Sequence, residues 1–183
     1  QASVSLGSYG TSSASFGYGG KIEGTNFHFQ VGRENSRGFS DIKAPKGGLY
    51  DSFNPDRDGY RQSNLGFSLS QKVSNDLELG ATYLISQGAK QSDNTNCNAA
   101  GTVCTANFNN RDRQSLESLA LRAVYEINNA WKTTFKLSDG TDDLKSWLFD
   151  PGTQTEVVPK YTTRQKQITW QNDIRVGSGL LMA

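Results

Sequence analysis

Four oxygen-bearing side chains crowd one polar run: Asp51, Asn54, Asp56 and Asp58 within Asp51-Ser52-Phe53-Asn54-Pro55-Asp56-Arg57-Asp58-Gly59-Tyr60. Hard cations prefer oxygen ligands of this kind. Asn-Pro and Asp-Gly are also ordinary turn formers, so a solvated turn is the competing expectation. Asp139, Asp142 and Asp143 form a second acidic group, expected on an outer loop as solubilising charge. His28 is the only histidine and has no second His or Cys at ligand spacing. It reads as a polar strand residue, and no Ser-His-Asp grouping can be assembled around it, so an enzyme is not expected. Cys97 and Cys104 lie in the polar stretch Asn96-Cys97-Asn98-Ala99-Ala100-Gly101-Thr102-Val103-Cys104, which has neither zinc-ribbon nor CxxC spacing. A local disulfide in an oxidising compartment is the preferred reading, with two free thiols as the alternative.

Composition bounds the scaffold that holds these residues. Glycine is frequent at 19 residues, aromatics reach 10% and hydrophobic residues only 34%. No apolar run approaches the roughly 20 residues of a spanning helix. A transmembrane β-barrel stays open, because each barrel strand needs only half its residues apolar. The net charge of +1, from 19 basic and 18 acidic residues, provides no basic field for nucleic acid. The chain opens on Gln1-Ala2-Ser3 without an initiator Met or signal-peptide pattern, and closes on Gly179-Leu180-Leu181-Met182-Ala183, which reads as a strand just begun. Both ends are therefore expected to lie inside a longer polypeptide.

Apolar residues recur with period two, as in strands with one apolar and one polar face. The alternating sets are Ala2, Val4, Leu6; Ala14, Phe16, Tyr18; Phe27, Phe29, Val31; Leu65, Phe67, Leu69; and Leu77, Leu79, Ala81, Tyr83, Ile85. They resume with Leu119, Leu121, Ala123, Tyr125, Ile127; then Trp131, Phe135, Leu137; then Ile168, Trp170, Ile174, Val176. The opposite faces carry Arg122, Glu126, Lys132, Lys136, Asp173 and Arg175, groups that cost a few kcal/mol each against lipid and so fix the inward side of a barrel.

Short turns are expected at Gly19-Gly20-Lys21, Ser74-Asn75-Asp76, Asn128-Asn129-Ala130 and Gly177-Ser178-Gly179. Long polar segments, about 34–61, 87–113 and 138–162, are expected as loops between them, and one outer connection near Gly7 to Thr11 is short. An up-and-down meander puts short turns on one rim and long loops on the other, as outer-membrane barrels do. The competitor is a secreted β-sandwich, whose strands are commonly ~5–6 residues. Several runs here alternate over about ten, the length a tilted strand needs to cross a bilayer. Tyr18, Tyr83, Tyr125, Trp131 and Trp170 near strand ends suit an interfacial girdle.

The order of elements resembles the first part of the barrel of TonB-dependent receptors, closest to their cobalamin-uptake branch. The likeness spans nearly the whole chain and rests on Ser3-Val4-Ser5-Leu6-Gly7-Ser8-Tyr9, Asn54-Pro55-Asp56-Arg57-Asp58-Gly59-Tyr60, Asn128-Asn129-Ala130-Trp131, and Thr169-Trp170-Gln171-Asn172-Asp173-Ile174 with the following Gly-Ser-Gly. The resemblance implies an all-β, antiparallel up-and-down transmembrane barrel segment: eight strands and the start of a ninth, out of about twenty-two that enclose an N-terminal plug. It also implies that acidic outer loops bind calcium. Asp56 and Asp58 match that acidic pair, whereas Ser86-Gln87 stands where the family has a further aspartate. The plug and TonB box are not among these residues.

The implied function is active transport across the bacterial outer membrane, with cobalamin or another corrinoid as first substrate and a ferric siderophore as second. The partners would be TonB, through the plug, and outer-membrane lipid. A small porin-like barrel or adhesin, and a secreted β-sandwich that binds a carbohydrate or protein, are the readings from other classes.

Overall fold

Alternation of apolar with small or polar side chains suits a pleated, half-wet surface, and the chain forms long strands wherever that pattern runs. A computed structural model describes residues 1–40, 56–92, 96–97, 100, 102, 104–105, 110–150, 153 and 155–183. The strands are β1 (Ala2–Gly7), β2 (Thr11–Ile22), β3 (Thr25–Phe39), β4 (Asp58–Lys72), β5 (Leu77–Ser92), β6 (Asn96–Cys97), β7 (Cys104–Thr105), β8 (Asn110–Asn128), β9 (Trp131–Asp150), β10 (Thr155–Val157), β11 (Lys160–Val176) and β12 (Gly179–Met182). One antiparallel sheet runs β1-β2-β3-β4-β5-β8-β9-β11-β12, with β10 on β9, while β6 and β7 pair separately. Every neighbour in the large sheet is the next main strand along the chain, so the topology is the expected up-and-down meander.

Two expectations about connections need correction. The first tight turn is Glu23-Gly24, between the paired residues Ile22 and Thr25, and not Gly19-Gly20-Lys21. Both turn residues have positive φ, 47° and 83°, the geometry a two-residue hairpin needs to match strand twist. Gly19 lies inside β2, where a Cβ would stand 2.8 Å from the Phe27 carbonyl oxygen. The second correction concerns the polar segments. β3 continues to Phe39, β8 begins at Asn110 and β9 runs to Asp150, so much of what looked like loop is paired strand. A bulge between Ser36 and Phe39 turns the upper end of β3, with Gly38 at φ +65°.

The sheet is a single layer. Among the described residues no hydrophobic side chain is buried; Phe67, Tyr125 and Trp170 are 41%, 46% and 69% exposed. A sandwich would bury these residues between two sheets, and the described residues form no second layer.

Paired residues share a face, so the register assembles the apolar sets into one continuous band. Phe29 pairs with Phe67, Phe67 with Tyr83 and Tyr83 with Leu119. Further along, Ala123 pairs with Phe135 and Phe135 with Trp170. The band does not follow the rows of paired residues. The row through Phe29 and Leu119 arrives at Asp139 and then Lys166, while the apolar residues of β11 centre near Asn172. The band has thus slipped about six residues toward the short turns across about five strand steps. With ~3.3 Å per residue and ~4.8 Å per strand, it crosses the strands at about 40° to the row direction, the range of strand tilt that closes barrels.

The aromatic residues divide within this band. Tyr83 stands toward its long-loop edge, and Tyr125 and Trp131 toward its short-turn edge. Trp170, next to the end residue Ile168 of its set, also stands toward the long-loop edge, whereas Tyr18, paired with Phe29, sits mid-band and departs from the girdle expected from sequence. Both indole N–H groups have partners there: Trp131 donates to Asn172 Oδ1 at 3.1 Å, and Trp170 to Thr133 Oγ1 at 2.9 Å.

Candidate functional site

The face opposite the band carries the polar and charged residues expected on an inward side. Small residues floor it, since Gly17, Gly66, Gly80, Ser68 and Thr82 all fall on this parity. Arg122 Nη2 reaches Glu78 Oε1 at 2.6 Å, and Lys132 Nζ reaches Asp173 Oδ2 at 3.1 Å. Gln171 donates to the other oxygen of Asp173 at 2.7 Å, so this carboxylate has two partners. Lys136 pairs in register with Arg122, placing a second cation beside the first. With His28, Ser68 and Thr82 they line an open groove of about 650 Å³. The His28 ring lies against Gly19 and reaches toward Gly17. Sequence reasoning put all six charged residues on one face, and the register does so too.

Toward the long loops the same face stays polar. Tyr60 donates to Glu34, Lys90 pairs with Asp112 at 3.3 Å, and Gln114 donates to both oxygens of Asp142 at 3.0 and 3.1 Å. The hydrogen bond to Glu34 raises the Tyr60 pKa above its ordinary value, helped by partial burial and by the Glu34 charge. Tyr60, Gln62, Lys90 and Gln114 line a further groove of about 370 Å³. These grooves offer hydrogen bonds of both polarities and several charges to a polar ligand.

The acidic group of β9 is not a loop cluster. Asp142 faces the polar side, while Asp139 and Asp143 share the face of the apolar band, above its edge. Cross-strand cations explain why they are tolerated there: Lys166 lies 3.8 Å from Asp139 and Lys160 3.7 Å from Asp143. A hydrogen bond from Thr162 holds the Asp143 carboxyl below its usual range, opposed by partial burial and aided by Lys160 and Arg164.

The four proposed cation ligands are not brought together among the described residues. Asp51 and Asn54 lie outside them. Asp58 opens β4 opposite Phe39, and Asp56 stands just before it with a buried Oδ1 that has no hydrogen-bond partner among the described residues. No group of three His, Cys, Asp or Glu side chains suited to a metal occurs among the described residues. For the cysteines the backbone is informative: Cys97 and Cys104 are direct partners across the β6–β7 ladder.

One feature escaped sequence reasoning. Arg33, Arg61, Arg113 and Lys145 lie on the band's own face, beyond its long-loop edge. Their signal was parity: each stands an even number of residues from the apolar set of its strand, at Val31, Leu65, Leu119 and Leu137. No protein-family model matches the chain, and no curated protein matches it in sequence.

Proposed function

We propose that this chain is part of an outer-membrane active transporter that captures a large scarce nutrient, most plainly cobalamin, and is driven through TonB. The observation that carries the reading is the inclined apolar band on one face of a single-layer sheet, backed by ion pairs on the other. A bilayer supplies the missing apolar partner for the band. A tilted strand meets a horizontal hydrocarbon slab at the angle by which the band departs from the residue rows.

Three further features support it. The charged pairs Arg122–Glu78 and Lys132–Asp173 lie on the face a barrel turns toward its lumen, where water or a plug can solvate them. Short turns gather at one rim and long extensions at the other. β1 and β12 do not pair with each other, so closure in a membrane requires further strands to satisfy both edges. Transport, TonB coupling and the corrinoid substrate rest on the family resemblance of the sequence. Calcium at Asp56 and Asp58 rests on it too, with Asp51 and Asn54 joining them as oxygen ligands of the same polar run.

Isothermal titration of the full-length parent protein in detergent, with a corrinoid and with a ferric siderophore, tests the substrate. Saturable corrinoid binding that strengthens when calcium is added supports the first choice. Binding of the siderophore alone moves the protein to the second substrate class, and binding of neither rejects nutrient capture.

A further inference from the structure

The cations on the band's face form a feature that transport does not use. Asn35, Arg61, Ala89, Arg113, Lys145 and Lys160 are successive partners along one row of the sheet. Arg113, Lys145 and Lys160 are therefore directly opposite one another, an arrangement of like charges that disfavours strand pairing. Arg61, Arg113 and Lys145 have no carboxylate within 4.0 Å among the described residues. Trp147 lies beneath three cations, with Arg111, Arg113 and Lys145 at 5.1, 5.4 and 4.7 Å from its ring. Arg33, Arg61, Arg113 and Lys145 line an open groove of about 530 Å³, with Asp143 the acidic residue in it.

The heights of these groups define the ligand. Arg33 stands two residues beyond Val31, Arg61 four beyond Leu65, Arg113 six beyond Leu119 and Lys145 eight beyond Leu137. For strands tilted about 40°, this places them roughly 5, 10, 15 and 20 Å above the band. A common phospholipid headgroup layer is only about 5–7 Å deep. An anionic partner that meets the whole staircase needs negative groups at several depths.

Resting on the membrane reading above, we propose that this face binds a phosphorylated glycolipid, with acyl chains along the apolar band and saccharide-borne phosphates against Arg33, Arg61, Arg113 and Lys145. Arginine forks suit phosphate oxygens bidentately. The ligand also offsets the repulsion within the row, so these charges favour binding but weaken the sheet when no lipid is bound.

Native mass spectrometry of the full-length protein in detergent tests this, with a glycolipid phosphorylated on its lipid and core sugars, its dephosphorylated form, phosphatidylglycerol and inorganic phosphate as probes. The wild type is expected to retain the phosphorylated glycolipid selectively. The double variant Arg113→Gln, Lys145→Gln is expected to lose at least about tenfold in retention, while its urea midpoint without lipid is unchanged or raised. Unchanged retention, or equal competition by phosphatidylglycerol or inorganic phosphate, overturns the proposal. A lowered midpoint assigns these side chains a structural role and overturns it too. Insertion into phosphatidylcholine vesicles separates the two readings. A protein that inserts but shows no glycolipid preference loses only this inference, whereas one that does not insert loses the membrane reading as well.

Discussion

The lower and upper halves of the sheet have the same backbone ladder but different surroundings. Near the short turns one face is continuously apolar, from Phe27 through Leu69, Leu121 and Leu137 to Ile168. Near the long loops both faces are polar, with Tyr60, Lys90 and Gln114 on one and Arg61, Arg113 and Lys145 on the other. The lower half therefore needs an apolar partner to be stable, while the upper half is held by ladder hydrogen bonds and cross-strand side chains in contact with water.

Breaking the lower half gives the largest effect. Leu121→Arg is expected to destabilise the full-length protein in lipid bilayers by about 2–4 kcal/mol, as at a membrane midplane. The equivalent Thr162→Arg in the upper half is expected to cost about 1 kcal/mol or less, because it stays in the wet region. Urea titration in phosphatidylcholine vesicles compares them, and equal costs would erase the distinction.

The upper half has its own weak point at the bulge of β3. A Cβ on Gly38 would meet the Asp58 carbonyl oxygen at 1.7 Å, and the residue already has positive φ. Gly38→Ala is therefore expected to cost at least about 1–3 kcal/mol and to displace the start of β4. Increased protease cleavage near Asp58, with the lower strands still protected in lipid, is the expected pattern.

A smaller effect probes the polar face of the lower half. Glu78→Gln removes the carboxylate partner of Arg122 but leaves the guanidinium about half-exposed, so the loss is expected to be about 1 kcal/mol or less. A thermal melt in detergent measures it, and a loss of several kcal/mol would mean that this face is dry.

The smallest effect is acid sensitivity in the upper half. Because Asp143 titrates lower when folded than unfolded, its contribution is present above the ordinary carboxylate pKa and disappears as pH falls through the depressed value. Thr162→Val removes the hydrogen bond that is the largest single cause of the shift. The variant is expected to lose less stability than the wild type between pH 7 and about pH 3, measured by urea midpoint.

The same contrast explains what the sequence revealed. Alternation such as Leu119, Leu121, Ala123, Tyr125 is visible because one face must be apolar, and it located eight strands and the start of a ninth. Ser138 to Asp150 carries no such alternation, because its apolar residues Leu144, Trp147, Leu148 and Phe149 fall on both faces among polar ones, so this half of β9 reads as loop. Two adjacent glycines make Gly19-Gly20 resemble a turn more than Glu23-Gly24 does, whereas Gly19 admits close approach of β3. Lys132 and Asp173 were placed on one face, but their pairing depended on a register that only the assembled sheet supplies. The basic staircase was hidden for the same reason, since its members come from β3, β4, β8 and β9.

Accessibility of nitroxide labels along β8 of the full-length protein in phosphatidylcholine bilayers tests the lipid-facing band most directly. Labels at Leu119, Leu121, Ala123 and Tyr125 should collide with dissolved oxygen and be shielded from a water-soluble nickel chelate. Labels at Ala120, Arg122, Val124 and Glu126 should show the reverse. Equal access of the nickel chelate to both sets would contradict a membrane-facing band.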